Sequence, residues 1–235
     1  MPKKMAIHVQ EYKLYLDSQK TEMDSFQHKG LRKKLIKGIR EKGVHNEDVL
    51  DALSRVPRHL FMDSSFINFS YTDKAFPISA GQTISQPYTV AFQTELLEVQ
   101  RHHKVLEVGT GSGYQTAVLL ELGARVYTIE RQRQLFLEAQ KTLNPLNYKP
   151  VYFYGDGYEG VPTYAPFDRI LVTAAAPEIP KKLLDQLDIG GILVIPEGDS
   201  AGQKMIRIQR VSEKDYQKSE HGHFSFVPLL RGKNS

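Results

Sequence analysis

Residues 104–130 constrain the fold of this chain more than any other segment. They contain an apolar run typical of a strand, three alternating glycines (Gly109, Gly111 and Gly113), a helical stretch, and a second β-branched run that ends at Glu130. Glycines between a strand and a helix let a ligand approach the backbone, because no Cβ stands in the way. An acid about 20 residues after the first glycine is placed to accept hydrogen bonds from ribose hydroxyls. The segment therefore predicts half of a doubly wound α/β domain that binds an adenosine-containing ligand.

The glycine loop lacks two common phosphate-binding patterns. A dinucleotide fingerprint has glycine or alanine three residues after its second glycine, but Tyr114 stands at that position. A P-loop continues with Lys and then Ser or Thr, whereas Gly113 is followed by Tyr114 and Gln115. A cofactor that has a ribose but no phosphate fits this loop, and S-adenosylmethionine is the common one. NAD, FAD and a turn that binds nothing are the alternatives.

The composition limits the setting and the partners of the chain. At 235 residues, 40% of them hydrophobic and 25% charged, it is expected to form one globular domain with or without an appendage. It has no apolar run of membrane-spanning length, no apolar core of a secretory signal, and no cysteine for disulfides. The net charge of +4 is mild, and the basic residues near the N-terminus are typical of a solvated helix face. We expect a cytoplasmic protein without a membrane or nucleic-acid partner.

Three zones follow one another along the chain. Residues 1–28 are polar and predict an extension, and residues 29–235 predict a single domain. Its first part, residues 29–100, has apolar residues at helical spacing, with Asn46 as the cap of a second helix and Pro57 as its end. The remainder, from residue 101, is the predicted α/β core.

Within that core, strands and helices alternate, which predicts a mostly parallel sheet with helices on both faces. Two late strands without a helix between them predict an antiparallel hairpin at the sheet edge. The predicted strands lie near 104–109, 125–130, 150–154, 167–173, 190–195, 204–210 and 224–229, and the predicted helices near 115–122, 132–143 and 180–187.

A second ligand contact is predicted where Gly155-Asp156-Gly157 follows the third core strand. An acid between glycines at a strand tip can accept a hydrogen bond from an exocyclic amine such as adenine N6. The alternative is a tight turn without a ligand. The adjacent histidine pairs, at 102–103 and around residue 222, lack the helical spacing of metal ligands, so no metal is expected.

Several stretches of the chain resemble one known family. They are AFPISAGQTISQPYTVAFQTELLEV (75–99), LEVGTGSGYQTA, the GDG at 155–157, APFDRILVTAAAPEIPKKLLDQLDIGGILVIPEG (165–198) and FVPLLRG (226–232). Together they resemble the protein-L-isoaspartate O-methyltransferases over roughly residues 30–232. The glycine loop is shared by many methyltransferases, whereas GQTISQP and the late FVPL are much more specific to this family.

The resemblance implies a fold, a reaction and a site. The fold is the Rossmann-like fold of class I S-adenosylmethionine-dependent methyltransferases, preceded by a helical segment. The reaction transfers a methyl group to the α-carboxylate of isoaspartyl residues in damaged peptides and proteins, leaves S-adenosylhomocysteine, and initiates repair to aspartyl residues. A monomer is expected. By position, the active-site residue is Ser85, and the cofactor-binding residues are Thr83, Ile84, Glu107, Gly109, Thr110, Gly111, Ser112, Glu130, Asp156 and Gly157.

The chain departs from the family pattern at two places. Ser79 stands where the family usually has glycine, so the turn before Gly81 is expected to differ. Residues 1–28 have no counterpart in the compact bacterial members.

Two other functions stay open at this point. One is a methyltransferase for RNA or a small molecule, which the basic N-terminal segment favours and the TISQP stretch disfavours. The other is a binding module without turnover, which the presence of Ser85, Glu130 and Asp156 disfavours.

Overall fold

The structure, a computed structural model, describes residues 24–199 and 201–234. Seven of the described strands form one sheet, and two short strands form a separate antiparallel pair. The helices are α1 (Phe26–Glu41), α2 (Glu47–Arg55), α3 (Pro87–Leu97), α4 (Tyr114–Glu121), α5 (Arg133–Leu143) and α6 (Lys181–Asp185). The strands are β1 (Phe76–Pro77), β2 (Thr83–Ile84), β3 (Lys104–Val108), β4 (Arg125–Glu130), β5 (Val151–Tyr154), β6 (Phe167–Val172), β7 (Leu187–Asp199), β8 (Gly202–Arg210) and β9 (Tyr216–Phe224).

The large sheet has the strand order β5-β4-β3-β6-β7-β8-β9. Strands β5 to β7 are parallel, and β8 and β9 add an antiparallel edge. The chain runs outward from β3 to β5 and then returns to the other side of β3 at β6. This reversal is the topological switch point at which open α/β sheets form a crevice. The predicted doubly wound, mostly parallel fold is confirmed.

Helices cover both faces of the sheet. In β3, Val105 and Leu106 are fully buried on opposite faces. Val105 belongs to the apolar cluster that includes Leu119 of α4, and Leu106 to the cluster that includes Leu183 of α6. Because this strand is buried on both sides, it is nearly continuously apolar, as expected for the centre of a parallel sheet.

The N-terminal helices begin and end where local sequence signals place them. The Ser25 hydroxyl accepts a hydrogen bond from His28 N (3.3 Å) at the start of α1, and Asn46 Oδ1 accepts one from Val49 N (3.2 Å) at the start of α2. Pro57 follows the C-terminal cap of α2. The predicted cap and helix end are therefore confirmed. Residues 1–23 of the predicted extension (1–28) lie outside the described residues. Its last three residues, 26–28, form the first turn of α1.

One predicted strand is in the wrong place. The sequence predicts a strand near 224–229, but the edge strand β9 ends at Phe224. Its sequence, YQKSEHGHF, is mostly polar and exposed because β8 is its one partner among the described strands. A search for apolar residues therefore misses it. The apolar residues after Phe224 leave the edge and return to the tip of β6, where Ala175 N donates to Val227 O (2.9 Å) and Leu229 N donates to Ala175 O (2.7 Å).

Among the helices that the structure describes, none combines the length and the apolar character that a bilayer crossing requires.

Candidate active site

A cleft opens at the carboxyl ends of β3 and β4, at the switch point of the sheet. Its walls come from the glycine loop after β3, the tip of β4, the β2 segment and residues 227–230. Most of the residues predicted for the site line this cleft: Thr83, Ile84, Ser85, Gly109, Thr110, Gly111, Ser112, Glu130 and Gly157. Glu107 and Asp156 do not line it, and each has a different environment.

The glycine loop leaves space that side chains would fill. Gly109 has a φ of +98°, and a Cβ built on it would lie 2.5 Å from Thr173 Oγ1. The Thr173 hydroxyl is itself fixed, since it lies 3.0 Å from Val108 O and 2.7 Å from Gly109 O, to which it donates. Thr173 occupies the position that a Cβ of residue 109 would need. Glycine is therefore required here, and the backbone of the loop stays open to the cleft.

Glu130 lies at the tip of β4 with its carboxylate held by backbone amides. It is only 5% exposed. Oε2 accepts a hydrogen bond from Gly111 N (3.0 Å), and Oε1 accepts one from Gln132 N (2.8 Å). Each carboxylate oxygen has further lone pairs, so both can still accept hydrogen bonds from hydroxyl groups of a ligand in the cleft.

Glu107 is in β3, beneath the cleft, and is fully buried. Burial raises the pKa of this carboxyl group to about 8, and this effect outweighs the hydrogen bonds that Thr116 and Thr128 donate to Oε2, which lower the pKa. The nearby charge of Glu130 raises the pKa further. A group with this pKa is largely protonated at neutral pH, so Glu107 supports the loop from below as a neutral acid.

Asp156 holds the turn and the C-terminal segment together. Its Oδ1 accepts a hydrogen bond from Tyr158 N (2.9 Å), and its Oδ2 accepts one from Gly232 N (2.7 Å). Both oxygens thus have partners outside the cleft, while the neighbouring Gly157 lines it.

The C-terminal segment, defined as residues 227–234, closes one side of the site. Val227, Leu229 and Leu230 line the cleft together with Pro228. The segment ends beside β4, where Asn234 N donates to Arg131 O (2.9 Å) and Asn234 Nδ2 donates to Gln132 Oε1 (2.6 Å). Residue types alone do not predict this wall; only the specific FVPL motif signals it.

Ser85 lies between β2 and α3 and is half-buried at the cleft wall. Among the described residues its hydroxyl has no hydrogen-bond partner, so it is available to a ligand. Its carbonyl accepts a hydrogen bond from Arg58 Nη2 (3.0 Å). Sequence reasoning missed Arg58, because an arginine next to a helix end gives no sign that it will be buried.

One group of residues elsewhere has the composition of a metal site. Possible ligand atoms of Asp24, His28 and His59 lie within 4.8 Å of one another. However, both carboxylate oxygens of Asp24 accept hydrogen bonds from Arg32 (3.1 and 2.8 Å). The guanidinium is also held by Tyr71, so a metal ion would have to displace a fixed cation.

Comparison with known proteins identifies the family. The family model described as protein-L-isoaspartate(D-aspartate) O-methyltransferase matches residues 30–234. The chain belongs to this family.

Curated relatives carry the family name over nearly their whole length. The protein-L-isoaspartate O-methyltransferase of Christiangramia forsetii is 58% identical over 212 residues, which cover 90% of this chain and 99% of that protein. The one from Salinibacter ruber is 47% identical over 220 residues, which cover 89% of this chain and 96% of that protein.

Solved structures of the family share the fold. One protein-L-isoaspartate O-methyltransferase has a TM-score of 0.77 and 25% identity, over 84% of this chain and 65% of that chain. A structure from Plasmodium falciparum, described as a putative family member in complex with S-adenosyl-L-homocysteine, has a TM-score of 0.74 and 24% identity, over 85% of this chain and 98% of that chain.

The buried acid under the loop leads to a prediction about stability. The folded chain keeps the Glu107 proton up to about pH 8, whereas the unfolded chain releases it near the ordinary pKa of 4.5, so the free energy of unfolding falls as the pH rises between these two values. Glu107→Gln removes this titration. The quantity to compare is the melting temperature of the variant minus that of the unaltered chain. We expect this difference to be several degrees more positive at about pH 8.5 than at about pH 5.5.

Thermal melts at both pH values, with the exposed Glu159→Gln as control, measure the difference. The control is expected to follow the unaltered chain at both pH values. A Glu107→Gln variant whose melting temperature changes with pH in parallel with the unaltered chain would contradict the assignment of a neutral buried acid.

Proposed function

We propose that the cleft carries out the reaction for which the family is named, with Ser85 as the residue that orients the substrate and Glu130 and the glycine loop as the cofactor site. The chain is an S-adenosylmethionine-dependent methyltransferase that acts on L-isoaspartyl residues of peptides and proteins and so initiates their repair. The observation that carries the assignment of roles is the placement of Ser85, Glu130 and the glycine loop around one cleft.

The residues of the cleft fit the cofactor. The cleft is concave and lies at the switch point of the sheet, where open α/β folds bind small molecules. Glu130 is held in place by Gly111 N and Gln132 N and can accept hydrogen bonds from the ribose hydroxyls. When bound, S-adenosylmethionine supplies an electrophilic methyl group.

The acceptor carboxylate needs orientation more than activation. A carboxyl group has a pKa near 4 in water, so at neutral pH it is already an anionic nucleophile. The walls of the cleft, within the described residues, contain neither histidine nor cysteine. The Ser85 hydroxyl, free of other partners, donates a hydrogen bond that directs one carboxylate oxygen, and the surrounding walls exclude water.

A second groove explains how a peptide reaches this site. It is lined by Tyr88, residues 221–227 and the β2 segment, and shares Thr83, Ser85 and Val227 with the cleft. An extended peptide in this groove therefore brings its backbone to Ser85. The absence of nucleic-acid partners, the monomeric state and the cytoplasmic location stay predictions from the sequence.

A pair of matched peptides tests the reaction. Labelled S-adenosylmethionine is incubated with the chain and with an isoaspartyl or an aspartyl peptide of otherwise identical sequence. We expect label in the isoaspartyl peptide only, followed by release of methanol as the ester collapses to a succinimide. Label in neither peptide, from protein that binds S-adenosylhomocysteine, would contradict the acceptor and favour RNA or a small molecule instead.

The role of Glu130 predicts a change in cofactor affinity. Glu130→Ala removes the partner of buried ligand hydroxyls, so the dissociation constant for S-adenosylhomocysteine is expected to rise by the equivalent of about 1–3 kcal/mol. Titration calorimetry measures it, with Glu159→Ala, an exposed acid away from the cleft, as the matched control. An unchanged dissociation constant in Glu130→Ala would remove this residue from the cofactor site.

The role of Ser85 predicts the opposite pattern. Ser85→Ala is expected to lower kcat on the isoaspartyl peptide by about 10- to 100-fold, because one orienting hydrogen bond is lost. The affinity for S-adenosylhomocysteine should stay unchanged, and the exposed Ser64→Ala should match the unaltered chain in both measurements. Loss of cofactor binding in Ser85→Ala would refute the orienting role.

A further inference from the structure

Arg58 is a charged residue in an unusual environment. Its side chain is fully buried, and within residues 24–199 and 201–234 it forms no ion pair with a carboxylate. The guanidinium instead donates to three backbone carbonyls: Ser70 O (2.8 Å), Lys74 O (3.2 Å) and Ser85 O (3.0 Å). Nη1 also donates to Met62 Sδ (3.3 Å). A buried charge without a bonded carboxylate is expensive even with these partners, so its presence calls for a function.

The three carbonyls belong to segments that meet at the active site. Ser70 and Lys74 lie in the stretch that leads to β1, and Ser85 follows β2 directly. The β1–β2 pair joins Ile84 to Phe76, and Asp73 Oδ1 accepts a hydrogen bond from Tyr88 N (2.8 Å), so the two segments are linked on either side of Ser85. Between these two links, the planar guanidinium of Arg58 binds the Ser85 carbonyl itself and fixes it relative to Ser70 and Lys74.

Arg58 also contacts the element that carries the cofactor loop. Its guanidinium carbon lies 5.5 Å from the ring centre of Tyr114, the first residue of α4, which begins directly after the glycine loop. It also lies 5.9 Å from the ring centre of Phe76 in β1. The guanidinium thus lies near both the β1–β2 pair, which leads to Ser85, and the helix that follows the glycine loop.

We propose that Arg58 is a positioning residue for methyl transfer: through its fork of hydrogen bonds to Ser85 O and the neighbouring carbonyls, it sets the direction of the Ser85 hydroxyl relative to the cofactor loop. The inference rests on the proposed function, since Ser85 is its target. The geometry of the fork, and not the positive charge alone, carries the effect. A lysine at this position keeps the charge, but its three N–H donors radiate from one nitrogen and do not reproduce the two separated nitrogens, Nη1 and Nη2, from which the guanidinium donates.

Arg58→Lys tests this distinction. Its kcat on the isoaspartyl peptide, counted per S-adenosylhomocysteine-binding site, is expected to fall by about 10- to 100-fold, because a small misplacement of an orienting group has an effect of this size. Counting binding sites corrects for any unfolded protein. A kcat per site within twofold of the unaltered chain would overturn the proposal.

Arg169→Lys is the matched control. Arg169 is also buried, and it also donates to backbone carbonyls, Glu98 O (3.2 Å) and Asp168 O (2.8 Å). It lies in the amino-terminal half of β6, whereas the cleft opens at the carboxyl ends of the strands. We expect this control to lose thermal stability as Arg58→Lys does and to keep its kcat per site. An equal loss of kcat in both variants would mean that Arg58 has a merely structural role.

Chemical rescue adds a readout that stability does not affect. In Arg58→Ala, methylguanidinium can enter the space left by the side chain and bind the same carbonyls. It is expected to raise kcat per site several-fold, whereas methylammonium, with the charge but without the fork, should not. Equal rescue by both ions would contradict the role of the fork.

A measurement without turnover separates this proposal from the proposed function. Hydrogen exchange at the backbone amides of residues 83–88 should be faster in Arg58→Lys than in the unaltered chain and unchanged in Arg169→Lys. If the unaltered chain fails to methylate the isoaspartyl peptide, the proposed function fails, while the exchange rates still decide whether Arg58 holds the Ser85 segment. Unchanged exchange in Arg58→Lys would refute the tether.

Discussion

The parallel pairing of β3 with β4 on one side and with β6 on the other determines the rest of this structure. The chain leaves β3 toward β4 and leaves β6 toward β7 on the other side, so a crevice forms between the carboxyl ends of β3 and β6. The crevice that results is where the glycine loop, the tip of β4 and the Ser85 segment meet. A central strand of this kind is buried on both faces, which explains why any polar residue within it requires a special arrangement.

Two carboxyl groups show how the position of a glutamate along its strand determines its role. Glu107 lies within the buried strand, where desolvation favours its protonated form, and two threonine hydroxyls satisfy one of its oxygens. Glu130 lies one strand away at the tip, where backbone amides hold the carboxylate at the cleft wall. The first supports the loop, and the second is available to a ligand.

The sequence was sufficient for the core of the fold and for most of the cleft, because glycine spacing, alternation of strands and helices, and helix caps are local signals. It failed where the environment is set by distant residues. The strand β9 is polar because it pairs with β8 alone among the described strands, and Arg58 acquires its role from three carbonyls up to 27 residues away in the chain. Burial of a charge and the closing of a sheet edge depend on tertiary packing, which no local pattern encodes.

The C-terminal segment gives the site a particular order of assembly. Residues 227–230 form part of the cleft wall, and Gly232 and Asn234 are bonded to the ends of β5 and β4. During synthesis, the strands and helices of the core emerge from the ribosome well before this wall does. The cofactor cleft is therefore completed only after residues 227–234 have emerged, later than the strands and helices that form its base.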